Sequence, residues 1–270
     1  MHGIGNDFVI VDSETVRGIH SARLAIDLCD RHFGVGADGL LIVGASDRAA
    51  CRMRMFNPDG TEDDCGNGLR CVVRHAHEAL SLPAEFTVET LSGIHCAQVL
   101  VHGRQESLVR VSMAAPRVHP SEIPMLISGD SAIGVPIPLG SRKLIFTCVN
   151  TGSTHSVTFL DGPVDSALFA AESPALEHHP LFPARTSVLW AWPDGTNRFR
   201  VRIWERGVGE TLGCGTGACA VAVAAQLEYR SSERTTVASQ GGELTIEWTP
   251  GDAIWMTGPA TSVFRGDWEV

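Results

Sequence analysis

Two cysteines carry the chemistry that this sequence advertises. Cys65 opens Cys65-Gly-Asn-Gly68 and Cys214 opens Cys214-Gly-Thr-Gly217, each just ahead of a stretch of helical length. The first turn of a helix leaves N–H groups without helical partners and carries about half a positive charge, which suits a carboxylate. Glycines beside the cysteine are expected to let those amides come close to a ligand. The same field is expected to lower a thiol from about 8.5 toward neutrality. Each motif thus combines an anion cradle with an activated thiol. A thiolate and a thiol on opposite faces of one carbon can invert a centre beside a carboxylate, one removing the hydrogen and the other returning a proton. Helix amides in a site closed to water would stabilise the carbanion. A single cysteine at a helix start is more often a small buried hydrophobe; its recurrence inside the same motif reverses that expectation.

The elements that must position these thiols are themselves duplicated. Arg52-Met-Arg-Met-Phe56 reappears as Arg200-Val-Arg-Ile-Trp204, Val88 with Gly93 as Val237 with Gly242, and Gly5-Asn-Asp-Phe8 is placed like Gly152-Ser-Thr-His155. The matches keep one order at offsets of 147 to 149 residues. Arg52 to Phe56 and Arg200 to Trp204 alternate polar and apolar residues, the period of a strand. A turn-rich stretch and the cysteine motif follow, then helices expected over 69–80 and 218–229. The second is apolar all round, which predicts burial on every side. Strands are expected at 86–89, 108–113, 244–248 and 253–256. The pattern implies an α+β fold of two pseudo-symmetric, barrel-like domains, each a curved β-sheet wrapped on a central helix. The expected boundaries are 1–115 plus 261–270, and 116–260, with the Pro-rich stretch 116–138 as the seam.

Composition narrows the function. A chain of 270 residues exceeds one roughly 150-residue domain, and 44% hydrophobic with 19% charged residues is globular. A net charge of −10 argues against a nucleic-acid backbone as partner. No apolar run approaches the roughly 20 residues of a membrane span, and no signal-like start is seen, so a cytoplasmic location is expected. The eight cysteines form no CxxC pair, so no metal site is expected and the thiols should be reduced. Cys29, Cys51, Cys71, Cys96, Cys148 and Cys219 are expected to pack in cores. Lys143 is the only lysine, so a pyridoxal Schiff base would have to form there. A cofactor-free mechanism on a small amino acid fits better. The sequence leaves open whether the chain is a monomer or a homodimer.

The chain resembles the diaminopimelate epimerase family of cofactor-independent racemases. The resemblance rests on Met1-His-Gly-Ile-Gly-Asn-Asp-Phe8, Arg31-His-Phe-Gly-Val-Gly-Ala-Asp38, Asn57-Pro-Asp-Gly60, Cys65-Gly-Asn-Gly-Leu-Arg70, Glu205-Arg-Gly-Val-Gly-Glu-Thr211 and Cys214-Gly-Thr-Gly-Ala-Cys219. It implies paired α+β barrels with the site in the cleft between them, and interconversion of LL- and meso-diaminopimelate for lysine and peptidoglycan synthesis. Cys65 and Cys214 match the catalytic cysteines, and Gly66, Asn67, Gly215 and Thr216 the carboxylate cradle. His155 and Glu205 match an assisting pair, Arg206 the clamp on the distal carboxylate, and Asn6 and Asn57 substrate-contacting amides. Ser153, Ser187 and Gly39 depart from residues common in the family at positions that include the distal-end contacts. A racemase of another amino acid, such as histidine, is the alternative substrate reading. A dithiol redox protein and a non-catalytic amino-acid binder are the alternatives from other classes.

Overall fold

Alternation decides where the strands lie and which way they face. In Cys51–Phe56, Cys51, Met53 and Met55 are buried while Arg52 is exposed; in Arg198–Glu205 the buried set is Phe199, Val201 and Ile203. These assignments come from a computed structural model that describes residues 1–139 and 142–269. Gly140, Ser141 and Val270, which fall within the expected domain ranges, lie outside the described residues. The chain divides into two compact units, Met1–Ser112 with Thr257–Val270, and Met113–Met256.

In the first unit, His2–Gly3 pairs antiparallel with Asn6–Asp12. Helix α1 (Ser21–Cys29) leads to Gly39–Gly44, which lies parallel to Asn6–Asp12. Cys51–Phe56 runs antiparallel to Gly39–Gly44 and carries the short strand Glu62–Asp63 on its end. Helix α2 (Gly66–Ala79) then crosses to Glu85–Glu89, parallel to Cys51–Phe56, and Ile94–Val101 returns antiparallel.

The second unit repeats this order. Arg142–Asn150 pairs antiparallel with Thr154–Phe159, and helix α3 (Ser166–Glu177) leads to the parallel strand Ser187–Pro193. Arg198–Glu205 runs antiparallel to that strand and carries Gly209–Thr211. Helix α4 (Gly215–Leu227) crosses to Arg234–Ser239, parallel to Arg198–Glu205, and Gly242–Glu247 returns antiparallel. Even the register matches: Cys51 stands opposite Val88, and Phe199 opposite Val237. Both units are α+β, each with a mixed sheet wrapped on one helix. α4 touches six strands and is buried from Ala218 to Ala225, as an all-apolar helix of small residues requires. α2 is different, because it buries Arg70 and Arg74. Arg74 reaches the backbone carbonyls of Gly103, Arg104, Gln105 and Ala260, the acceptors a buried guanidinium needs.

Several expectations are revised. α2 and α4 start at Gly66 and Gly215, three residues earlier than the periodicity predicts, because the cysteine itself caps each helix. α1 and α3 were not among the expected elements. α1 is short and capped by His20 rather than by a strong capping residue, and α3 holds Pro174 inside it. The Pro-rich stretch is not a mere seam: Ile123, Met125, Ala132 and Ile137 pack with Phe146, Phe169 and Trp190 in the second unit's core. Cys96 is exposed rather than packed, since His95 and Ala97 take the inward positions of their strand. Among the described residues no helix is long and apolar enough to cross a membrane.

Candidate active site

Cys65 caps α2 with extended backbone, and its sulfur accepts the Gly68 N–H at 3.5 Å. The same thiol donates to Asn6 Oδ1 at 3.5 Å, and Asn67 Nδ2 donates to that oxygen at 3.3 Å. The first unit therefore gathers Cys65, Gly66, Asn67 and Asn6 at one helix mouth. Asn57 stays apart from this group by its hydrogen bonds. Its Nδ2 donates to Thr61 Oγ1 at 3.0 Å, within a turn closed by Gly60, whose φ is +86°.

The second unit builds the matching mouth. Cys214 caps α4 and accepts the Gly217 N–H at 3.4 Å, while Thr216 Oγ1 lies 3.4 Å from its sulfur. His155 Nε2 lies 3.0 Å from Thr216 Oγ1, so His155, Thr216 and Cys214 form a chain. Thr151 fixes the Thr216 carbonyl from Oγ1 at 2.8 Å. Glu205 ends its strand, is bonded by Thr211 Oγ1, and acts electrostatically on Cys214.

The fourth-position glycines have a packing role that the sequence did not suggest. A Cβ on Gly68 would stand 3.0 Å from Leu41 Cδ2, and one on Gly217 3.3 Å from Leu189 Cδ2. They let each helix mouth sit close on a strand.

The electrostatics of the two histidine-side groups run against simple expectation. Burial pushes the Cys214 thiol well above its ordinary value, and the Glu205 carboxylate adds to this. The hydrogen bonds from Thr216 and Gly217 pull it down, but by less. The helix field alone therefore does not activate this thiol. Burial, helped by the Arg206 cation, lowers His155 to about 3, so the imidazole is neutral near pH 7. His155 Nδ1 is buried with no hydrogen-bond partner among the described residues. An orphaned acceptor costs less than an orphaned N–H, which places the proton on Nε2, donating to Thr216. The Thr216 hydroxyl is then directed at the Cys214 sulfur, as a donor for a thiolate.

Arg206 sits in the tight turn after Glu205. Its backbone N–H donates to Ser187 Oγ at 3.1 Å and its Nη1 to the Ala184 carbonyl at 3.2 Å. The Ser187 hydroxyl thus holds the turn that carries Arg206. A Cβ on Gly39 would meet the flexible end of Met55 at 2.9 Å and the Phe56 carbonyl oxygen at 3.1 Å, so a longer side chain there requires both to give way. Ser153 supplies its carbonyl to the Thr151 N–H at 3.1 Å.

Two further groups support the site and were missed in the sequence. Glu177 is 4% exposed and accepts from Gly207 N at 2.8 Å, Trp204 Nε1 at 2.8 Å and Arg185 Nη1 at 3.2 Å. Burial opposes its ionisation, but those donors outweigh it and lower its pKa. It anchors the Glu205–Arg206 turn to the end of α3. On the Cys65 side, Asp38 accepts from Asn6 Nδ2 at 2.8 Å and from Arg31 Nη2 at 2.7 Å. Glu177, followed directly by His178 and His179, gave no signal in the sequence; Asp38 gave none beyond its motif. Among the described residues no cluster of His, Cys, Asp or Glu is arranged to hold a metal ion.

Comparison with known proteins agrees with this architecture. The family model described as diaminopimelate epimerase matches residues 1–118 and 147–263. The chain is 46% identical over 272 residues to the diaminopimelate epimerase of Moorella thermoacetica, covering 99% of this chain and 97% of that one. It is 45% identical over 274 residues to that of Desulforudis audaxviator, with the same coverage of 99% and 97%. Among solved structures, a hydroxyproline epimerase from Agrobacterium vitis superposes with a TM-score of 0.65 at 16% identity, covering 97% of this chain and 87% of that chain. A phenazine biosynthesis protein from Bacillus anthracis gives 0.64 at 19%, covering 97% and 93%. These distant likenesses show the shared fold. With two copies of one α+β unit, a cysteine capping the same helix in each, and near-full-length identity above 40%, the chain belongs to the diaminopimelate epimerase family.

Proposed function

We propose that this protein is an isomerase that interconverts LL- and meso-2,6-diaminopimelate by two-base proton transfer at the α-carbon. The observation that carries the proposal is the placement of Cys65 and Cys214 as N-caps of corresponding helices in two copies of one unit. One cysteine, as thiolate, takes the α-proton: an S–H bond forms, the C–H bond breaks, and its electron pair stays on carbon. The other, as thiol, gives a proton to the opposite face, leaving a thiolate that serves the reverse direction. The first-turn amides of Gly66, Asn67, Gly215 and Thr216 bind the reacting carboxylate and stabilise the charge that spreads onto it.

Glu205 and His155 then have separate tasks. Glu205 holds Cys214 as a thiol until an ammonium group arrives beside the carboxylate and offsets its field. Thiolate formation is thereby coupled to substrate binding. The neutral His155, through Thr216, steadies the sulfur once it is negative. Arg206 offers the planar fork that a distal carboxylate accepts, with Asn6 and Asn57 as amide contacts. No cofactor is required, and the substrate is a small amino acid met in the cytoplasm, on the route to lysine and peptidoglycan precursors.

The test uses purified protein without added cofactor. LL-Diaminopimelate should yield the meso form by chiral chromatography, and single-enantiomer amino acids, histidine included, should hold their circular dichroism. Racemisation of histidine with diaminopimelate left untouched would overturn the substrate assignment.

A further inference from the structure

The motif Arg31-His-Phe-Gly-Val-Gly-Ala-Asp38 has no part in the proton transfer as described, yet its two charged ends meet the Cys65 site. Asp38 Oδ2 accepts from Asn6 Nδ2 at 2.8 Å and from the Asp7 N–H at 3.1 Å, while Arg31 Nη2 holds Asp38 Oδ1 at 2.7 Å. Arg31 also grips both oxygens of Asp7, at 2.8 and 3.1 Å. A carboxylate can only accept, so Asn6 must turn its NH2 toward Asp38 and its oxygen the other way. That oxygen is the atom to which both the Cys65 thiol and Asn67 Nδ2 donate.

The far end of the chain enforces the same direction. Arg70 can only donate, and its Nη2 lies 2.9 Å from Asn67 Oδ1. Asn67 is therefore turned with its NH2 toward Asn6. The bonds run one way: Arg70 to Asn67, Asn67 to Asn6, Asn6 to Asp38. A cation starts the series and an anion ends it, so neither amide can flip without setting like against like at one end. Arg70 and Asn67 are almost fully buried, where such a mismatch costs most.

We propose that Asp38 is a positioning residue that locks Asn6 with its carbonyl oxygen toward Cys65, so that this sulfur meets an acceptor and is held as the proton-bearing partner. The inference deepens the two-base reading and takes from it the identity of Cys65 as a reacting thiol. With the lock removed, Asn6 can present its NH2 to the sulfur, and a donor there favours the thiolate instead.

The experiment is alkylation of the intact protein with iodoacetamide across a range of pH, with peptide mass mapping so that Cys65 is read separately from the other cysteines. In Asp38→Asn, Cys65 should react roughly three- to tenfold faster at pH 7.5, as expected for a net hydrogen-bond change of about 1 kcal/mol, and its profile should move to lower pH. Asp38→Glu, which keeps an anionic acceptor, should restore the wild-type rate to within about twofold on the same scale. Asn6→Ala, which leaves the Arg31 contacts of Asp38 in place, should also accelerate Cys65. Adding Asp38→Asn to Asn6→Ala should then change the rate by less than about twofold, because Asp38 acts through Asn6.

An unchanged Cys65 rate in both single variants would overturn the proposal. So would an equal acceleration by Asp38→Asn with and without Asn6, which would mean that the carboxylate acts on the sulfur directly. A purely structural Asp38 would lower stability without moving the alkylation profile. Alkylation reads the sulfur whether or not diaminopimelate is turned over, so failure of the epimerase assay and failure of this inference are distinct results.

Discussion

Cys214 shows how far a local motif can mislead about a thiol. Its helix-mouth position favours the thiolate, but burial and Glu205 outweigh the hydrogen bonds from Thr216 and Gly217. Glu205→Gln should therefore speed alkylation of Cys214 at pH 8, while turnover falls; a slower reaction would refute the assigned electrostatics. Cys65→Ser and Cys214→Ser should each lower kcat by at least about a thousandfold, as loss of a general acid or base does. Ligand binding should stay near wild type, because the amides remain, and calorimetry checks this. His155 gives a pH prediction. Its folded pKa of about 3 lies below the unfolded value, so the unfolded chain binds more protons between the two and stability rises with pH across that window. Lowering the pH from 7 to 5 should cost about 2 kcal/mol through this group, a slope that His155→Gln should lack in urea unfolding. That Cys65 and Cys214 each open a helix was readable from residue type and spacing. The sign of the Cys214 shift was not, because it depends first on burial and then on a carboxylate brought from the end of Arg198–Glu205.

At the scale of elements, the two capped helices were legible because cysteine and glycine recur at one spacing, and the all-apolar face of α4 announced its burial. α1 was not, and yet it sets the Cys65 side of the site. The segment after it folds back on its own last carbonyls, with Val35 and Gly36 N–H groups on Leu28 O. Gly34 makes this possible, since a Cβ there would lie 2.1 Å from Asp27 O, 2.8 Å from Leu28 O and 2.9 Å from Asp30 O. Gly34→Ala should destabilise the protein by about 2 kcal/mol or more, the range of an overpacked site without room to relax. The displaced loop carries Arg31 and Asp38, so Cys65 alkylation should rise with it. An alanine variant as stable as wild type would show that the loop has other ways to close. No periodicity in the sequence signals such a loop, because its bonds run from backbone to backbone.

For the whole molecule, the duplication was the most legible feature, since strands paired at one register must keep their spacing in both copies. The Pro-rich stretch was harder to read: proline marks where helices stop, not whether the flanking Ile123, Met125 and Ile137 have a core to enter. A mechanism resting on two thiols and backbone amides predicts that prolonged dialysis against a chelator leaves kcat unchanged; a loss restored by a divalent ion would contradict it. The most direct test of the two-thiol account is turnover of LL-diaminopimelate in heavy water, stopped at low conversion. If each face of the carbon is served by its own sulfur, the meso product should carry solvent deuterium at the inverted carbon while recovered LL substrate carries almost none. Meso product that retains the original hydrogen would mean that a single base carries the proton across, and the account would fail.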